Sequence, residues 1–362
     1  MPVSDTNTTL RHDGKPAFIR LKQQLRQDIL DGTLQERLPS ERELARLHGI
    51  AYMTARRAVD ALVEERLVQR VPGVGTFICR TGGPLTRSGN IGLVLSADLR
   101  FGAANPFYGE VLSGALEAAR RQGLSAFVCT TGDELLPQAA DETSRRKVDG
   151  LICLARPDPA GLASLTAAAE LVPVVTIYQD PVRPGMASVW GDDREGGRLL
   201  ALHLLELGHR QFAWIGPASA PTARERFAGF SAELAAQGLV LPAECIVDAN
   251  YEREPGEEAA RRLLDRQQRP SVIVCGNDSI ACGVLRELWR RGLRTPTDVA
   301  VTGFDDLILG SYLPCPLTSV GVDKRALGST AVELLMSLIE GRPTAERTVL
   351  PNYLRVRDST VG

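Results

Sequence analysis

No stretch of the 362-residue chain reaches the ~18 uninterrupted apolar residues that a membrane-crossing helix needs, so a helical span is excluded and no membrane partner is expected. Residues 1–13 are polar and lack the apolar core of an export signal, which leads to the expectation of a cytoplasmic protein. The seven cysteines are odd in number and show no metal-ligand spacing, so no metal site is expected. Cys129, Cys153 and Cys275 lie inside apolar runs and read as buried reduced thiols; Cys79, Cys245, Cys282 and Cys315 are open to exposure, with nothing beside them that activates a thiol. A phosphate-cradling glycine loop, a dinucleotide fingerprint and a Ser-His-Asp spacing are all missing. No catalytic residue and no cofactor is therefore assigned, and an enzyme is not expected.

What is present is ample core material: 44% hydrophobic and 24% charged residues, in a chain long enough for two or three domains. The net charge of −2 hides a division. Residues 1–80 hold 13 Lys/Arg against 10 Asp/Glu, a net +3, and the remainder holds 29 against 34, a net −5. A mildly basic head on an acidic body suits a head that meets phosphate and a body that does not.

The head spans residues 16–79, behind an expected disordered tail at 1–15. Phe18, Leu21, Leu25, Ile29 and Leu30 form one face of a helix that starts near Pro16 and stops at Gly32. Ser40 and Glu43 form an S-x-x-E capping box that opens a second helix, Glu41 to Leu47, with Leu44 and Leu47 as its expected inner face. His48-Gly49-Ile50 is a turn. A third helix, Ala51 to Glu65, buries Ala55, Val59 and Leu62. Two short apolar runs flank Pro72-Gly73-Val74-Gly75 and predict a two-stranded wing. The outline is a winged helix-turn-helix.

The third helix is expected to present Tyr52, Met53, Arg56 and Arg57 near its start, the end from which base edges are reached in a major groove. Arg42 points at the same groove or at a phosphate, and Gly73 and Gly75 let the wing backbone come close to the duplex. A solvated helix face would explain any one of these arginines taken alone. The motif context decides otherwise: Leu38-Pro-Ser-Glu-Arg-Glu-Leu-Ala45, then Thr54-Ala-Arg-Arg-Ala58, then Gly73-Val-Gly-Thr-Phe77 resembles the GntR family of bacterial regulators. That resemblance implies DNA contacts from Arg42 and Arg56 and a phosphate contact from Thr54. The chain departs from the family at Ala51-Tyr52, where Ser-Arg is usual. Losing the serine cap costs about 1 kcal/mol, and Tyr52 implies a shifted operator preference. The loop before Leu38 is also shorter than usual.

Residues 80–89, rich in Gly, Ser, Thr and Pro, read as a flexible linker. From residue 90 to 362, short β-branched runs alternate with amphipathic helices, which means an α/β fold with parallel sheet covered on both faces. Its size predicts two similar lobes. The expected division is about 90–190 with 323–343, and about 191–320 with 344–362. Small ligands in such folds bind at the carboxyl ends of the strands. Polar residues gather there: Asn105-Pro-Phe-Tyr108, Asp133, Tyr178, Asp180, Asp192-Asp193, Arg224, Arg226, Asn277-Asp278 and Asp305-Asp306. Carboxylates, an amide, a guanidinium and rings converging on one cleft suit a polyhydroxylated ligand. Asp278 reads as a helix N-cap, Asp306 as a surface turn residue, His209 as a turn residue, and Trp190 as structural. Phe107 and Tyr108 fit a ligand wall and a core equally well.

Residues 90–357 resemble the effector-binding region of LacI/GalR regulators, itself similar to periplasmic sugar-binding proteins. The resemblance rests on Asn105-Pro-Phe-Tyr108, Val148-Asp-Gly150, His203-Leu-x-x-Leu-Gly-His-Arg210, Arg226-x-x-Gly-Phe230, Asn277-Asp-x-x-Ala-x-Gly283, Gly303-Phe-Asp-Asp306 and Pro316-Leu-Thr318. It implies that Arg226, Asn277 and Asp305 hold an effector, with Phe107 and Tyr108 on the opposite wall. Tyr178 stands where the family often has Asp, which alters one wall.

A GntR-type head on a LacI-type body resembles the arabinose-repressor arrangement, so a pentose or another sugar is the first effector expected. The expected whole is a transcription regulator, a repressor, that binds double-stranded operator DNA as a homodimer under control of a small polar effector. The alternative is a cytoplasmic sugar-binding protein or sugar-metabolising enzyme with an accessory DNA-binding head.

Overall fold

The computed structural model describes residues 16–30, 33–34, 37–64, 67–71, 75–78, 88–95, 105–130, 148–154 and 158–361. Gly73, Cys79, Asp133, the tail 1–15 and most of the 80–89 segment lie outside the described residues. The chain divides into two compact units, Met1–Arg87 and Ser88–Gly362.

The first unit has helices α1 (Ala17–Leu30), α2 (Glu41–His48) and α3 (Tyr52–Glu64) and strands β1 (Val68–Val71) and β2 (Gly75–Ile78). Leu21, Leu25 and Ile29 of α1 pack on Leu44 of α2 and on Ala55, Ala58, Val59 and Leu62 of α3. The capping box forms at both ends: Ser40 Oγ accepts from Glu43 N–H, and the Glu43 carboxylate accepts from Ser40 N–H at 2.8 Å. Gly49 ends α2 in the left-handed region at φ 61°. Leu47 does not join the core as expected and is 61% exposed. A step of three residues falls about 60° short of a full turn, which carries Leu47 off the narrow seam that Leu44 occupies.

β1 and β2 pair antiparallel from Val68↔Ile78 to Val71↔Gly75. Arg37 bridges to Phe77, and Leu38 N–H donates to Thr76 O at 2.8 Å, so the approach to α2 adds a third edge to the wing. Arg70 on β1 bonds Asp60 of α3 and, at 2.8 Å, Glu41 of α2, tying the wing to both helices.

The second unit is two lobes, each built on a six-stranded sheet. Lobe one begins with β3 (Asn90–Leu95), α4 (Pro106–Arg121), β4 (Ser125–Thr130), β5 (Gly150–Cys153), α5 (Pro159–Ala168), β6 (Val174–Ile177) and β7 (Met186–Gly191). Lobe two follows with α6 (Asp193–Glu206), β8 (Phe212–Ile215), α7 (Pro221–Ala236), β9 (Ile246–Val247), α8 (Arg253–Leu264), β10 (Val272–Cys275), α9 (Asp278–Arg290), β11 (Ala300–Phe304) and β12 (Thr318–Val322). The chain then returns through α10 (Lys324–Ile339) and β13 (Arg347–Leu350) before β14 (Asn352–Arg355). The sheet orders are β13-β7-β6-β5-β3-β4 and β14-β12-β11-β10-β8-β9. All neighbours are parallel except β12 and β14.

The expected return to lobe two at residue 344 is corrected. Arg347–Leu350 extends the lobe-one sheet beside β7, and the chain changes sheets only across Pro351. The cause is pairing: Arg347–Leu350 matches Ser188–Gly191 residue for residue and closes an otherwise open edge. Three crossovers therefore join the lobes, after Gly191, Val322 and Leu350.

One helix pair of lobe one, α4 with α10, rests on bare backbone. A Cβ at Gly114 of α4 would lie 2.1 Å from Arg325 O of α10, and one at Gly328 of α10 would lie 2.0 Å from Val111 O. This close approach seats α10 on lobe one, where Leu327, Ala331, Val332 and Leu335 join its core.

Candidate functional site

In the head, the residues expected to meet DNA occupy one side of α3 and the start of α2. Arg42, Tyr52, Met53 and Arg56 are exposed, and Thr54 is half-buried. Phe18, Met53, Thr54, Arg56, Arg57 and Asp60 line a common surface hollow. Arg56 Nε lies 3.9 Å from Asp60, a loose contact that leaves its donors available to a stronger acceptor. Arg57 is engaged differently: its guanidinium stacks 4.3 Å from the Phe18 ring, which braces α3 on α1. Gly75 has a reason of its own to be glycine. At φ 145° its Cβ would fall 2.5 Å from the Arg37 guanidinium, so Arg37 lies directly on the wing backbone. Arg37 was not singled out from the sequence, because its partner is 38 residues away.

In the body, the strand ends converge on one polar cluster centred on Arg226. Its helix α7 meets α6 through glycines: a Cβ at Gly197 would lie 1.9 Å from Arg226 O. The side chain is 5% exposed. Nε donates to Asp193 Oδ1 at 2.9 Å; Nη1 donates to Gly276 O at 2.7 Å and to Asp305 Oδ1 at 3.4 Å. Phe304 lies flat against the guanidinium at 3.8 Å, and Tyr251 stands at 5.9 Å. Burial opposes the charge on Arg226, but Asp193, Tyr251 and Asp305 outweigh it and hold the pKa above its ordinary value. Burial pushes Asp305 up to about 6, against the pull of Arg226 and Lys324. Burial likewise raises Asp193 against Arg226. Among the described residues, Asp193 Oδ2 has no hydrogen-bond partner.

Phe107, Tyr108 and Tyr178 form the facing wall. Asn105 caps α4 by accepting from Phe107 N–H and Tyr108 N–H, which fixes both rings. Phe107 stands 5.2 Å from Tyr108 and 6.0 Å from Tyr178, and Tyr178 stands 5.6 Å from Trp190. Burial raises the pKa of both tyrosines, with Asp305 adding to it, so their hydroxyls stay protonated. Phe107 is a core member of lobe one. Among the described residues, the non-glycine positions with positive φ are Tyr178 (57°), Asp305 (106°) and Asp306 (46°). Strain of this kind, about 1–3 kcal/mol each, gathers at binding sites.

Several sequence readings are corrected. Asn277, not Asp278, is the N-cap of α9: its Oδ1 accepts from Ile280 N–H at 2.9 Å, and its NH2 donates to Tyr251 O at 3.5 Å. Asp278 is 2% exposed, and its carboxylate accepts from Leu307 N–H at 2.7 Å and Ser319 Oγ at 2.6 Å. Asp306 is no surface turn residue; it is largely buried and pairs with Arg357 at 2.6 Å and Tyr353 Oη at 3.1 Å. Asp180 faces away and pairs with Arg347. Trp190 is structural, packed between Tyr178 and the Arg347 guanidinium at 4.2 Å. The sequence reading missed Asp193 as the partner of Arg226, and it missed Tyr251, Lys324 and Asn352 altogether. Asn352 is buried beside the Pro351 crossover, and among the described residues neither its amide nitrogen nor its oxygen has a hydrogen-bond partner.

A winged head with a basic helix end, joined to a hinged two-lobed body with a polar cleft, defines a ligand-responsive DNA-binding regulator. Residues 19–78 match the bacterial regulatory proteins of the gntR family, and residues 201–360 match the periplasmic binding protein-like domain. The ribose operon repressor of Escherichia coli (strain K12) is 30% identical over 317 residues, 84% of this chain and 94% of the repressor. The structure of a CelR regulator in complex with cellobiose superposes with TM-score 0.67 at 26% identity, covering 89% of this chain and 100% of that one. A LacI family regulator from Enterococcus faecium with bound ribose gives TM-score 0.63 at 26% identity, covering 75% and 98%. The chain belongs to the LacI family of transcription regulators and carries a gntR-type head. Its relatives and structural neighbours are regulators and not enzymes. Among the described residues no helix is long and apolar enough to cross a membrane.

Proposed function

We propose that the chain is a cytoplasmic repressor that binds a palindromic operator as a homodimer and whose effector is a neutral sugar held between the lobes. The observation that carries the sugar reading is the charge balance around Arg226. Its Nε and Nη1 donate to Asp193, Gly276 O and Asp305, which leaves the Nη2 donors for a neutral hydroxyl. Among the described residues, two cations, Arg226 and Lys324, face three carboxylates, Asp193, Asp305 and Glu110. Such a cluster has no cationic charge to spare for a phosphate, whereas carboxylate oxygens, amides and tyrosine hydroxyls match sugar hydroxyls. The rings of Phe107, Tyr108 and Tyr178 offer apolar faces to a pyranose or furanose. A relative named as a ribose operon repressor and structural neighbours that carry cellobiose or ribose support the same class.

A thermal-shift comparison on the full chain tests this reading. D-Ribose, L-arabinose and cellobiose form the neutral set, and D-ribose 5-phosphate the charged one. A neutral sugar is expected to raise the melting temperature, as any ligand of the folded state must. A shift from the phosphate alone would overturn the neutral-sugar reading.

The dimer reading is supported by apolar side chains left in solvent: Phe127 and Val128 on edge strand β4, and Ile308, Leu309 and Tyr312 in the turn after β11. For the head we assign Arg42, Tyr52, Thr54 and Arg56 to DNA, with Gly75 and Arg57 as supports of wing and helix. Arg56→Ala is expected to weaken operator binding by about 1–3 kcal/mol and to relax preference at one base position. Fluorescence anisotropy against an operator series measures both, and wild-type values would remove Arg56 from the interface.

A further inference from the structure

We propose that Lys324 is a positioning residue that fastens the Asp305–Asp306 loop of lobe two to lobe one. Lys324 opens α10, a helix fixed to α4 by the Gly114 and Gly328 contacts and therefore part of lobe one. Its ammonium crosses to the other lobe. Nζ donates to Asp305 O at 2.8 Å and to Asp306 O at 3.2 Å, with Glu110 of α4 at 3.7 Å. The side chain is 4% exposed, so these contacts replace water rather than compete with it.

The carbonyls are available because of the backbone. Positive φ at Asp305 and Asp306 turns two successive peptides out of the strand path. Lobe two grips the same loop from behind: Asp305 N–H donates to Val320 O, Asp306 N–H to Ser319 Oγ, and Leu307 N–H to Asp278. The Leu307 side chain nevertheless belongs to the lobe-one core. The loop is thus shared, with its amides held by one lobe and its carbonyls by the other. Rotation between the lobes must either break the Lys324 contacts or move the Asp305 carboxylate relative to Arg226. Lys324 thereby links the lobe angle to the geometry of the cleft, whichever small molecule fills it.

The inference goes beyond the effector reading and is tested without an effector. Spin labels are placed through unnatural amino acids at Ala163 on α5 and Arg262 on α8, both exposed, in the full-length protein mixed with an excess of unlabelled chain, so that a dimer carries one labelled copy. Double electron–electron resonance then reports the lobe separation. Wild type is expected to give one narrow distribution. Lys324→Met should broaden it and shift it to longer distances, and Lys324→Arg, which keeps the charge and the donors, should restore it. If Lys324→Met does not fold, Lys324→Gln, with one donor axis left, should give an intermediate broadening. A methionine or glutamine variant with the wild-type distribution overturns the proposal, and so does an arginine variant as broad as methionine. Because no sugar is present, these results are separable from failure of the neutral-sugar reading.

Discussion

Arg226→Met is expected to destabilise the body by about 3–5 kcal/mol at neutral pH and to abolish effector binding. The substitution keeps apolar volume against Phe304 but strips Asp193 and Asp305 of the cation that offsets their burial. Two buried carboxylates then remain, and each favours its protonated form. Their folded pKa values, already raised, rise further in the variant. A group raised on folding contributes stability that is present at low pH and lost as pH rises through its folded pKa. The deficit of Arg226→Met should therefore shrink toward pH 5 and grow toward pH 8. Urea unfolding at the two pH values measures it. A variant as stable as wild type at pH 8 would contradict the burial account, and one that still binds the effector would remove Arg226 from the site.

Asp278→Asn carries the second large effect. Burial pushes the Asp278 carboxyl up to about 8, with Asp305 adding to it and the Ser319 and Leu307 hydrogen bonds working against it. In the unfolded chain an aspartate titrates near about 3.9. The folded state therefore binds the extra proton across the whole interval, and wild-type stability should fall between about pH 4 and pH 8 by several kcal/mol. Asp305, raised to about 6, adds slope of the same sign over the lower part. His48, His203 and His209, lowered chiefly by burial, act in the opposite direction near pH 6. The difference between variant and wild type isolates Asp278. Asparagine can accept from Leu307 N–H and donate to Ser319 Oγ without titrating, so the variant should gain on wild type as pH rises. Parallel stability curves from pH 5 to pH 8 would show that Asp278 does not titrate as described.

Local signals carried most of the fold. Ser40 and Glu43 are three residues apart, so their reciprocal cap was readable without any tertiary contact, and it forms as read. The continuous apolar strands β3, β5, β6, β8 and β10 were readable for the same reason. β7 and β12 were not. Their sequences, MASVWG and TSVGV, contain Ser188, Thr318 and Ser319, which are fully buried only because distant partners satisfy them. Ser188 Oγ donates to Glu346 O, and Thr318 N–H donates to Ser359 Oγ. β13 and β14 alternate exposure at a sheet edge and carry little pattern in four residues each.

The cleft divides along the same line. Arg226 and Asp305 came from motif resemblance, and the structure brings them to 3.4 Å. Asp193 was among the strand-end polar residues, but its pairing with Arg226, like that of Lys324 with Asp305, joins positions 33 and 19 residues apart and has no local signal. The Asn277-Asp278 pair was read in the wrong order: the helix starts one residue earlier than its apolar period suggests, so Asn277 takes the cap and frees Asp278 for the loop. Leu47 was misplaced because an eight-residue helix offers too few turns to fix its buried seam.

The central claim is that occupancy of the cleft changes the hold of the winged head on DNA. The direct measurement is the dissociation constant of the full-length protein for its operator, at fixed salt, with and without a saturating sugar that raises its melting temperature. Occupancy is expected to change that constant about tenfold or more, about 1.4 kcal/mol of coupling. An operator affinity that stays the same while the sugar is demonstrably bound would contradict it.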